Sequence, residues 1–216
     1  MSKTFIGILV FMLFAAVFSA CTEEEKNSFS GTITDMSSGE PVSGVTVYLD
    51  GAVLNSGSIN STFHELAVTT TGSDGRYFFE CDQDAYLKFR IRIQKDGYHD
   101  DLHEFEPADQ LANYDNDYEF AKESYLHVSV LNVLPYNDDD QFKIRVEAIN
   151  NACQMCCSGE FRYFYGTYTD TSFFCNTVGG DTITLYSISI HNDESIIKSN
   201  KVYCMPGDTM FFNAYY

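Results

Sequence analysis

The sequence predicts an all-β protein that consists of two antiparallel β-sandwich domains in tandem, behind a cleaved N-terminal signal peptide. Three observations predict this fold class. Short stretches alternate apolar with polar residues, which is the period of a half-buried strand. Glycine-containing turns separate these stretches. Beyond residue 20 the chain shows no run of apolar residues at helical spacing, so strands packed in sandwiches are the expected architecture.

The first sandwich is predicted over residues 29–106. Val45, Val47 and Leu49 alternate with Thr, Tyr and Asp and give one strand a single apolar face. The pair Asp74-Gly75 predicts a tight turn, since glycine supplies the positive φ that such turns need. The predicted strands cover residues 31–35, 45–50, 77–81 and 89–94.

Four short segments of this domain carry a recognisable pattern. They are residues 31–35, 41–47, 71–77 and 97–98, which read GTITD, PVSGVTV, TGSDGRY and GY. Together they resemble the carboxypeptidase-regulatory-like domain, a transthyretin-like sandwich. The resemblance implies a folding or docking module without catalytic residues. Residues 52–68 depart from the pattern as a long insertion between the second and third strands, and such a loop on a rigid sandwich is expected to carry recognition.

Residues 1–20 have the features of a secretory signal peptide. Lys3 supplies a positive charge, and residues 5–17 form an uninterrupted apolar segment that is short for a membrane span. The following Phe18-Ser19-Ala20-Cys21 resembles a bacterial lipobox, although Phe18 replaces the usual Leu or Val. The resemblance implies a cleaved lipoprotein signal peptide and a membrane anchor of acyl chains on Cys21. An ordinary signal followed by a chance cysteine is the alternative.

Residues 21–28 are predicted to form an acidic tether, because Glu23, Glu24 and Glu25 come directly after Cys21 and Thr22. This run resembles the acidic tag of surface-exposed lipoproteins in some Gram-negative bacteria, which implies an outer-membrane anchor that faces the cell surface; the periplasmic face stays open. The whole chain has 31 Asp and Glu against 13 Lys and Arg, a formal charge of −18 at pH 7. Repulsion from phosphate therefore argues against nucleic acid as a partner.

Residues 107–123 are predicted as a linker, since the surrounding region is rich in acidic residues. Asp115-Asn116-Asp117 and Asp138-Asp139-Asp140 offer oxygen atoms that Ca²⁺ could use, but neither run has the spacing of an EF-hand loop, and solvated turns are the preferred interpretation. His99 and His103 stand four residues apart, which would suit a metal pair on a helix. Two exposed loop histidines are preferred.

The second sandwich is predicted over residues 124–216. Ile183, Leu185, Ile188 and Ile190 are assigned to one of its strands, after a glycine-containing turn. The predicted strands cover residues 126–130, 142–146, 161–165, 183–190 and 210–216. The beginning and the end of this domain contain the segments YLHVSV and PGDT, which resemble parts of the tail module of other small surface lipoproteins.

Cysteine is concentrated in the second sandwich. Disulfides are the default in an exported protein, and the candidates are Cys153, Cys156, Cys157, Cys175 and Cys204. The adjacent Cys156 and Cys157 are expected to pair outward, with Cys175 and Cys204 as candidate partners, and the connectivity stays open. Cys81 is predicted to be a buried thiol on the inward side of a strand. One cysteine of the second domain is then left over, unless Cys81 pairs across the domains.

A metal site is the alternative use of these cysteines. Cys153-x-x-Cys156 has a spacing that suits zinc, and Cys157 and Cys175 could complete the ligand set. Export to an oxidising surface disfavours this alternative, so no metal or other cofactor is predicted. A thioredoxin-like redox role would need a helix at the motif, and none is predicted.

The sequence contains no glycine-rich phosphate loop and no His-Glu-x-x-His motif. The predicted function is that of a non-enzymatic, lipid-anchored envelope protein, which presents loops to an uptake receptor, a surface glycan or another envelope protein. The alternative is a structural subunit of a fimbria-like surface appendage, since such subunits are also exported as lipoproteins built of transthyretin-like sandwiches. A secreted enzyme would need a cleft with convergent polar groups.

Overall fold

The computed structural model describes residues 26–53, 62–82, 86–107, 113–147, 152–153, 156–157 and 159–216. The predicted signal peptide, the lipidation site Cys21 and the acidic residues Glu23, Glu24 and Glu25 lie outside the described residues. All fifteen regular elements in the described ranges are β-strands. Within this part of the chain, no helix has the length and apolar character needed to cross a membrane.

The first eight strands build the first sandwich. They are β1 (Lys26–Asp35), β2 (Thr46–Val53), β3 (Phe63–Thr70), β4 (Arg76–Asp82), β5 (Tyr86–Gln94), β6 (Asp101–Phe105), β7 (Asn113–Asp115) and β8 (Tyr118–Phe120). One sheet has the order β4-β1-β7, with β8 also pairing with β1, and the other has the order β3-β2-β5-β6. Alternate residues of both sheets point inward, and the core between them includes Phe29, Ile33, Leu49, Phe89 and Ile91.

The last seven strands build the second sandwich. They are β9 (Glu123–Leu131), β10 (Gln141–Glu147), β11 (Arg162–Tyr165), β12 (Asp170–Val178), β13 (Thr182–His191), β14 (Glu194–Tyr203) and β15 (Thr209–Tyr215). The sheets have the orders β11-β10-β13-β14 and β12-β9-β15. Strand β15 lies parallel to β9, whereas the other pairs of these two sheets are antiparallel. Leu126, Val128, Ile144 and Leu185 lie in the core. The predicted fold class of two β-sandwiches is confirmed.

The two sandwiches are joined by direct backbone hydrogen bonds around Lys122 and Glu123. The Glu123 N–H donates to the Gly97 carbonyl at 2.9 Å, and the Gly179 N–H donates to the Lys122 carbonyl at 2.8 Å. The side chain of His99 also reaches across, from the loop after β5 to the carbonyl of Thr177 in β12, at 2.9 Å. The junction is therefore a contact surface between the modules.

The predicted linker, residues 107–123, contains two strands of the first sheet and so needs correction. Strands β7 and β8 pair in parallel with β1. Acidic side chains of β7 and of its connection to β8 hold this pairing: Ser30 Oγ donates to Asp115 Oδ1 at 3.1 Å, and the Thr32 N–H donates to Asp117 Oδ1 at 2.7 Å. The acidic composition suggested a solvated linker because the hydrogen-bond donors for these carboxylates lie about 85 residues earlier in the sequence, on β1.

The predicted insertion, residues 52–68, has a β-strand at each of its ends. Strand β2 continues to Val53, and β3 begins at Phe63 and pairs with β2 in antiparallel fashion. Both ends of the insertion are thus part of a hairpin, and residues 54–61 lie outside the described part. Residues 63–68, which the sequence assigned to a long recognition loop, therefore belong to a strand.

Strand β13 places its isoleucines on two faces. Ile183 and Leu185 point into the core, as do the buried Ser187 and Ser189, while Ile188 and Ile190 lie on the opposite face and are half-buried. A strand without a bulge alternates strictly, so residues of odd and even number cannot share one face. The outer face of this sheet is therefore more apolar than the sequence pattern suggested.

Candidate functional site

The cysteines of the second sandwich form two disulfides, Cys153–Cys156 and Cys157–Cys175, whose Cα atoms lie 5.4 and 5.2 Å apart. The adjacent Cys156 and Cys157 do pair with different partners. The prediction of Cys204 as a disulfide candidate is wrong, because Cys204 is a fully buried thiol in the core. Burial raises the pKa of that thiol and keeps it in the neutral form. Cys81 is a buried thiol of the first core, as predicted.

A cluster of three side chains lies at the junction of the sandwiches. One ring nitrogen of His99 and the sulfur atoms of Cys153 and Cys156 all lie within 4.8 Å of one another. We call these residues the junction cluster. The predicted metal alternative joined Cys153 and Cys156 to Cys157 and Cys175, but the latter two form their own disulfide and His99 takes their place.

The junction cluster opens into a cavity of about 430 Å³. His99 and Cys153 contribute to its wall, and the carboxylates Asp100, Asp101 and Glu123 also line it. Spacing along the sequence could not have revealed this group, because His99 belongs to the first sandwich and both cysteines belong to the second. The signal that pointed at part of it was the Cys-x-x-Cys spacing.

His103, the other histidine of the predicted pair, has different neighbours. Its Nε2 lies 2.7 Å from Asp101 Oδ2, and its ring stacks on Tyr118 with centroids 4.3 Å apart. Burial of Asp101 would by itself raise the pKa of its carboxyl group. The hydrogen bond and the electrostatic attraction from His103 outweigh this effect, so the pKa of Asp101 is lowered. His103 therefore helps to fix β6 against the first core.

The second acidic run, Asp138-Asp139-Asp140, holds a loop. Asp140 is buried and accepts hydrogen bonds from the Asn132 side chain at 3.0 Å and from the Tyr136 N–H at 2.8 Å. Burial would raise the pKa of Asp140, but these hydrogen bonds outweigh it and the pKa is lowered. Asp138 accepts from Thr167. In both acidic runs that the sequence offered as calcium candidates, carboxylates therefore accept hydrogen bonds from protein groups. The observed role of these carboxylates is to hold the nearby backbone in place.

The outer face of the sheet β12-β9-β15 carries a row of rings. Phe174 and Phe211 are the register partners of His127 on its two sides, with ring centroids at 4.3 and 5.4 Å from the imidazole. Phe174 is 65% and Phe211 is 74% exposed. We call Phe174, His127 and Phe211 the aromatic row. Sequence analysis missed it because β12 was not predicted: residues 170–178 read DTSFFCNTV, which does not alternate apolar with polar residues.

Strand β14 presents a long open edge. It pairs with β13 on one side and has no strand on the other within the described residues. Its first six residues are all exposed. Ile196 and Ile197, which point to opposite faces, are 54% and 59% exposed. We call this element the β14 edge. Unpaired N–H and C=O groups along such an edge are a template for another strand.

Comparisons with known proteins give little. No family model matches the sequence, and no curated protein matches it. Among solved structures, the chain is similar to the shaft pilin SpaA of Lactobacillus rhamnosus GG, with 11% identity, 88% of this chain and 97% of that chain covered, and a TM-score of 0.30. It is also similar to a streptococcal ancillary pilin, with 12% identity, 89% of this chain and 63% of that chain covered, and a TM-score of 0.33. The minor pilin of Streptococcus agalactiae is similar with 10% identity, 88% of this chain and 94% of that chain covered, and a TM-score of 0.33. Likeness at these TM-scores carries no argument about function.

Proposed function

We propose that this chain is a non-enzymatic, lipid-anchored protein of the cell surface that associates with other chains by β-strand addition, as a subunit of a fimbria-like appendage. The β14 edge is the observation that carries this proposal. Within the described part of the chain, the ten residues of this strand have no neighbouring strand on one side, and the edge has an isoleucine on each face. Main-chain hydrogen bonds supply affinity in strand addition, and alternate side chains supply specificity.

The chemistry of the β14 edge favours a protein partner. Soluble proteins shield their edges with short strands, bulges, prolines or charges. The edge carries Lys198 and Lys201, but the Ile196-Ile197 pair between Ser195 and Lys198 remains exposed. Burying the exposed part of these two side chains under an added strand would contribute roughly 1 kcal/mol or more for each.

Export and anchoring rest on separate support. Two disulfides suit an oxidising compartment, and the signal peptide and lipobox of residues 1–21 supply a route to a membrane. The resemblance of the acidic residues after Cys21 to a surface-export tag supports the outer-membrane location and the surface orientation. The resemblance of residues 31–98 to the carboxypeptidase-regulatory-like domain stays a prediction.

The aromatic row favours a second candidate, a binding module for a surface glycan. Exposed rings in a row on a flat sheet can stack on the apolar faces of sugar rings, and patches of exposed aromatic surface mark interaction sites. The insertion at residues 52–68, which the sequence predicted to carry recognition, lies in the paired strands β2 and β3 at its two ends. The aromatic row replaces it as the supporting feature.

Self-association of the purified chain tests the strand-addition proposal. We expect oligomers or filaments that grow with concentration, measured by light scattering after size exclusion and by electron microscopy. The double variant Ile196→Lys and Ile197→Lys should weaken association by more than about tenfold, because two cations cannot be buried under an added strand. Val68→Lys on β3, another edge strand with an exposed apolar residue, is the matched control and should associate normally.

The variant Phe174→Ser with Phe211→Ser separates the two candidates. Under strand addition it associates like the unmodified chain. If it loses retention on surface polysaccharide while the β14 variant keeps it, the glycan candidate is supported. A chain that stays monomeric at all concentrations, or a β14 variant that assembles normally, would rule out strand addition through this edge.

A further inference from the structure

The junction cluster has the composition of a metal site. We propose that His99, Cys153 and Cys156 bind a single borderline-soft divalent ion, Zn²⁺ in the first place, when the Cys153–Cys156 disulfide is reduced. In the oxidised chain the two sulfur atoms form the disulfide, and in the reduced chain they are available as metal ligands. The proposal is independent of strand addition, since the junction cluster and the β14 edge are different parts of the molecule.

The donor atoms suit zinc. One imidazole and two thiolates are ligands that Zn²⁺ takes readily, whereas Mg²⁺ and Ca²⁺ prefer oxygen. The three atoms already lie within 4.8 Å of one another. Around a tetrahedral zinc with bonds of about 2.3 Å to sulfur, two thiolates stand roughly 3.8 Å apart. The Cα atoms of Cys153 and Cys156 are 5.4 Å apart, so both side chains can reach one ion by rotating.

His99 is held in the manner of a metal ligand. It is largely buried, and its Nε2 donates to the Thr177 carbonyl at 2.9 Å. That bond places the proton on Nε2 and leaves the lone pair on Nδ1. Metal-binding histidines usually donate their second ring nitrogen to a carbonyl or carboxylate, which fixes the tautomer and the ring orientation. Thr177 therefore fills the supporting role before any ion arrives.

Reduction is the step that opens the site. A dithiol reductant transfers two electrons and two protons to the Cys153–Cys156 disulfide; the S–S bond breaks, two thiols form, and the reductant becomes a disulfide. Zinc then replaces the two thiol protons, which are released to solvent. Reoxidation by a disulfide-donating partner reverses the electron transfer and expels the ion.

The fourth coordination position faces the cavity. Three protein ligands leave one position of a tetrahedral zinc open, and the cavity wall next to the cluster carries Asp100, Asp101 and Glu123. A water molecule or one of these carboxylates can complete the shell. Because His99 belongs to the first sandwich and the cysteines to the second, a bound ion would cross-link the two modules.

Cobalt titration of the full soluble chain tests the proposal. The chain is reduced with a dithiol that is then removed under argon, and Co²⁺ is added as a spectroscopic probe for zinc. We expect a thiolate-to-cobalt charge-transfer band that saturates at one ion per chain and is bleached by Zn²⁺. The oxidised chain should give no such band. His99→Gln keeps a donor for Thr177 but lacks the imidazole, and should weaken Co²⁺ binding by more than about tenfold.

Matched variants exclude other cysteines and histidines. His103→Gln should bind Co²⁺ like the unmodified chain, and so should Cys204→Ser. The variant Cys157→Ser with Cys175→Ser removes the thiols of the second disulfide and should retain the band. No band in the reduced chain, equal binding by His99→Gln, or loss of the band only when Cys157 and Cys175 are replaced overturns the proposal.

Discussion

Asp35 shows how much one carboxylate can organise. It accepts hydrogen bonds from the backbone of Ser37 and Ser38, from Tyr98 Oη at 3.1 Å, and forms an ion pair with Lys122 at 3.2 Å. Burial alone would raise the pKa of Asp35. The bonds from Ser37, Ser38, Lys122 and Tyr98 outweigh it and hold the pKa well below the usual range. Asp35 thus joins the β1 turn to the residues at the module junction.

Replacing Asp35 with Asn should lower the free energy of unfolding at pH 7 by about 3 kcal/mol, because the charge that offsets Lys122 and strengthens these bonds is lost. The folded pKa is depressed, so this stabilisation is fully present above the unfolded pKa of about 3.9 and is lost as pH falls towards the folded value. Urea unfolding at several pH values measures it. The difference between the unmodified chain and the variant should shrink below about pH 4.

Asp96→Asn is the control, since Asp96 is exposed beside the same junction and should change stability by no more than about 0.5 kcal/mol. A pH-independent effect of Asp35→Asn would contradict the assignment of the stabilisation to the charged carboxylate.

At the scale of single elements, the centre of β1 depends on the absence of a side chain. A Cβ on Gly31 would lie 1.9 Å from the Asn116 carbonyl oxygen and 3.0 Å from a ring carbon of Tyr77. Asn116 joins β7 to β8, and its carbonyl accepts a hydrogen bond from Tyr77 Oη at 2.8 Å. The close approach of β1 to this connection therefore requires glycine.

Gly31→Ala should destabilise the chain by about 3 kcal/mol, since a backbone carbonyl must move and the parallel pairing of β7 and β8 is strained. Gly159→Ala is the matched control because a Cβ there meets no atom within 4 Å. Chemical denaturation reports both changes. Equal stability of the two variants would show that the β7–β8 connection adjusts without cost.

Most strands that sequence patterns predicted have one buried face, whereas β11, which was predicted from its aromatic residues, is mostly exposed. Strands β1, β5, β9, β10 and β13 bury every second residue over most of their length, so their period was visible. The β14 edge was not predicted because neither of its faces is covered along most of its length, and no alternation is imposed on its residues. Strands β7 and β8, with three residues each, are too short for any period to be read.

The candidate sites were predictable only in part. The disulfide partners Cys157 and Cys175 could be proposed from adjacency and export, but the inclusion of His99 in the junction cluster depends on how two modules meet. That contact depends on backbone hydrogen bonds near Lys122 and Glu123. Backbone groups are the same in almost all residue types, so the sequence does not reveal these bonds. Likewise, the aromatic row requires the register of three strands that are distant in the sequence.

For the molecule as a whole, the proposed lipid anchor on Cys21 would decide where these surfaces act. We expect the unmodified chain to fractionate with membranes and to be removed by protease from intact cells. Cys21→Ser should move it to the soluble fraction, because the acyl chains are lost and each buried CH₂ contributes about 0.8 kcal/mol to membrane affinity. Cys81→Ser, which leaves Cys21 in place, is the control and should stay with the membranes.

Replacing Glu23, Glu24 and Glu25 with Ala tests the orientation separately. A variant that stays in the membrane fraction but resists protease on intact cells supports a surface-export signal. If the unmodified chain also resists, and is degraded only after lysis, the surface appendage and the glycan-binding candidates both fail.

The position of β1 has a consequence for how the chain acquires its structure. Its pairing partners β7 and β8 lie far along the sequence: Ser28 bonds to Asn113, and 85 residues separate them. Loop closure over that distance is slow compared with hairpin formation. A chain delivered from its N-terminus must leave this edge of β1 unpaired until residues near 120 have emerged. Escort by a holding chaperone during export would therefore matter more for the first module than its small size suggests.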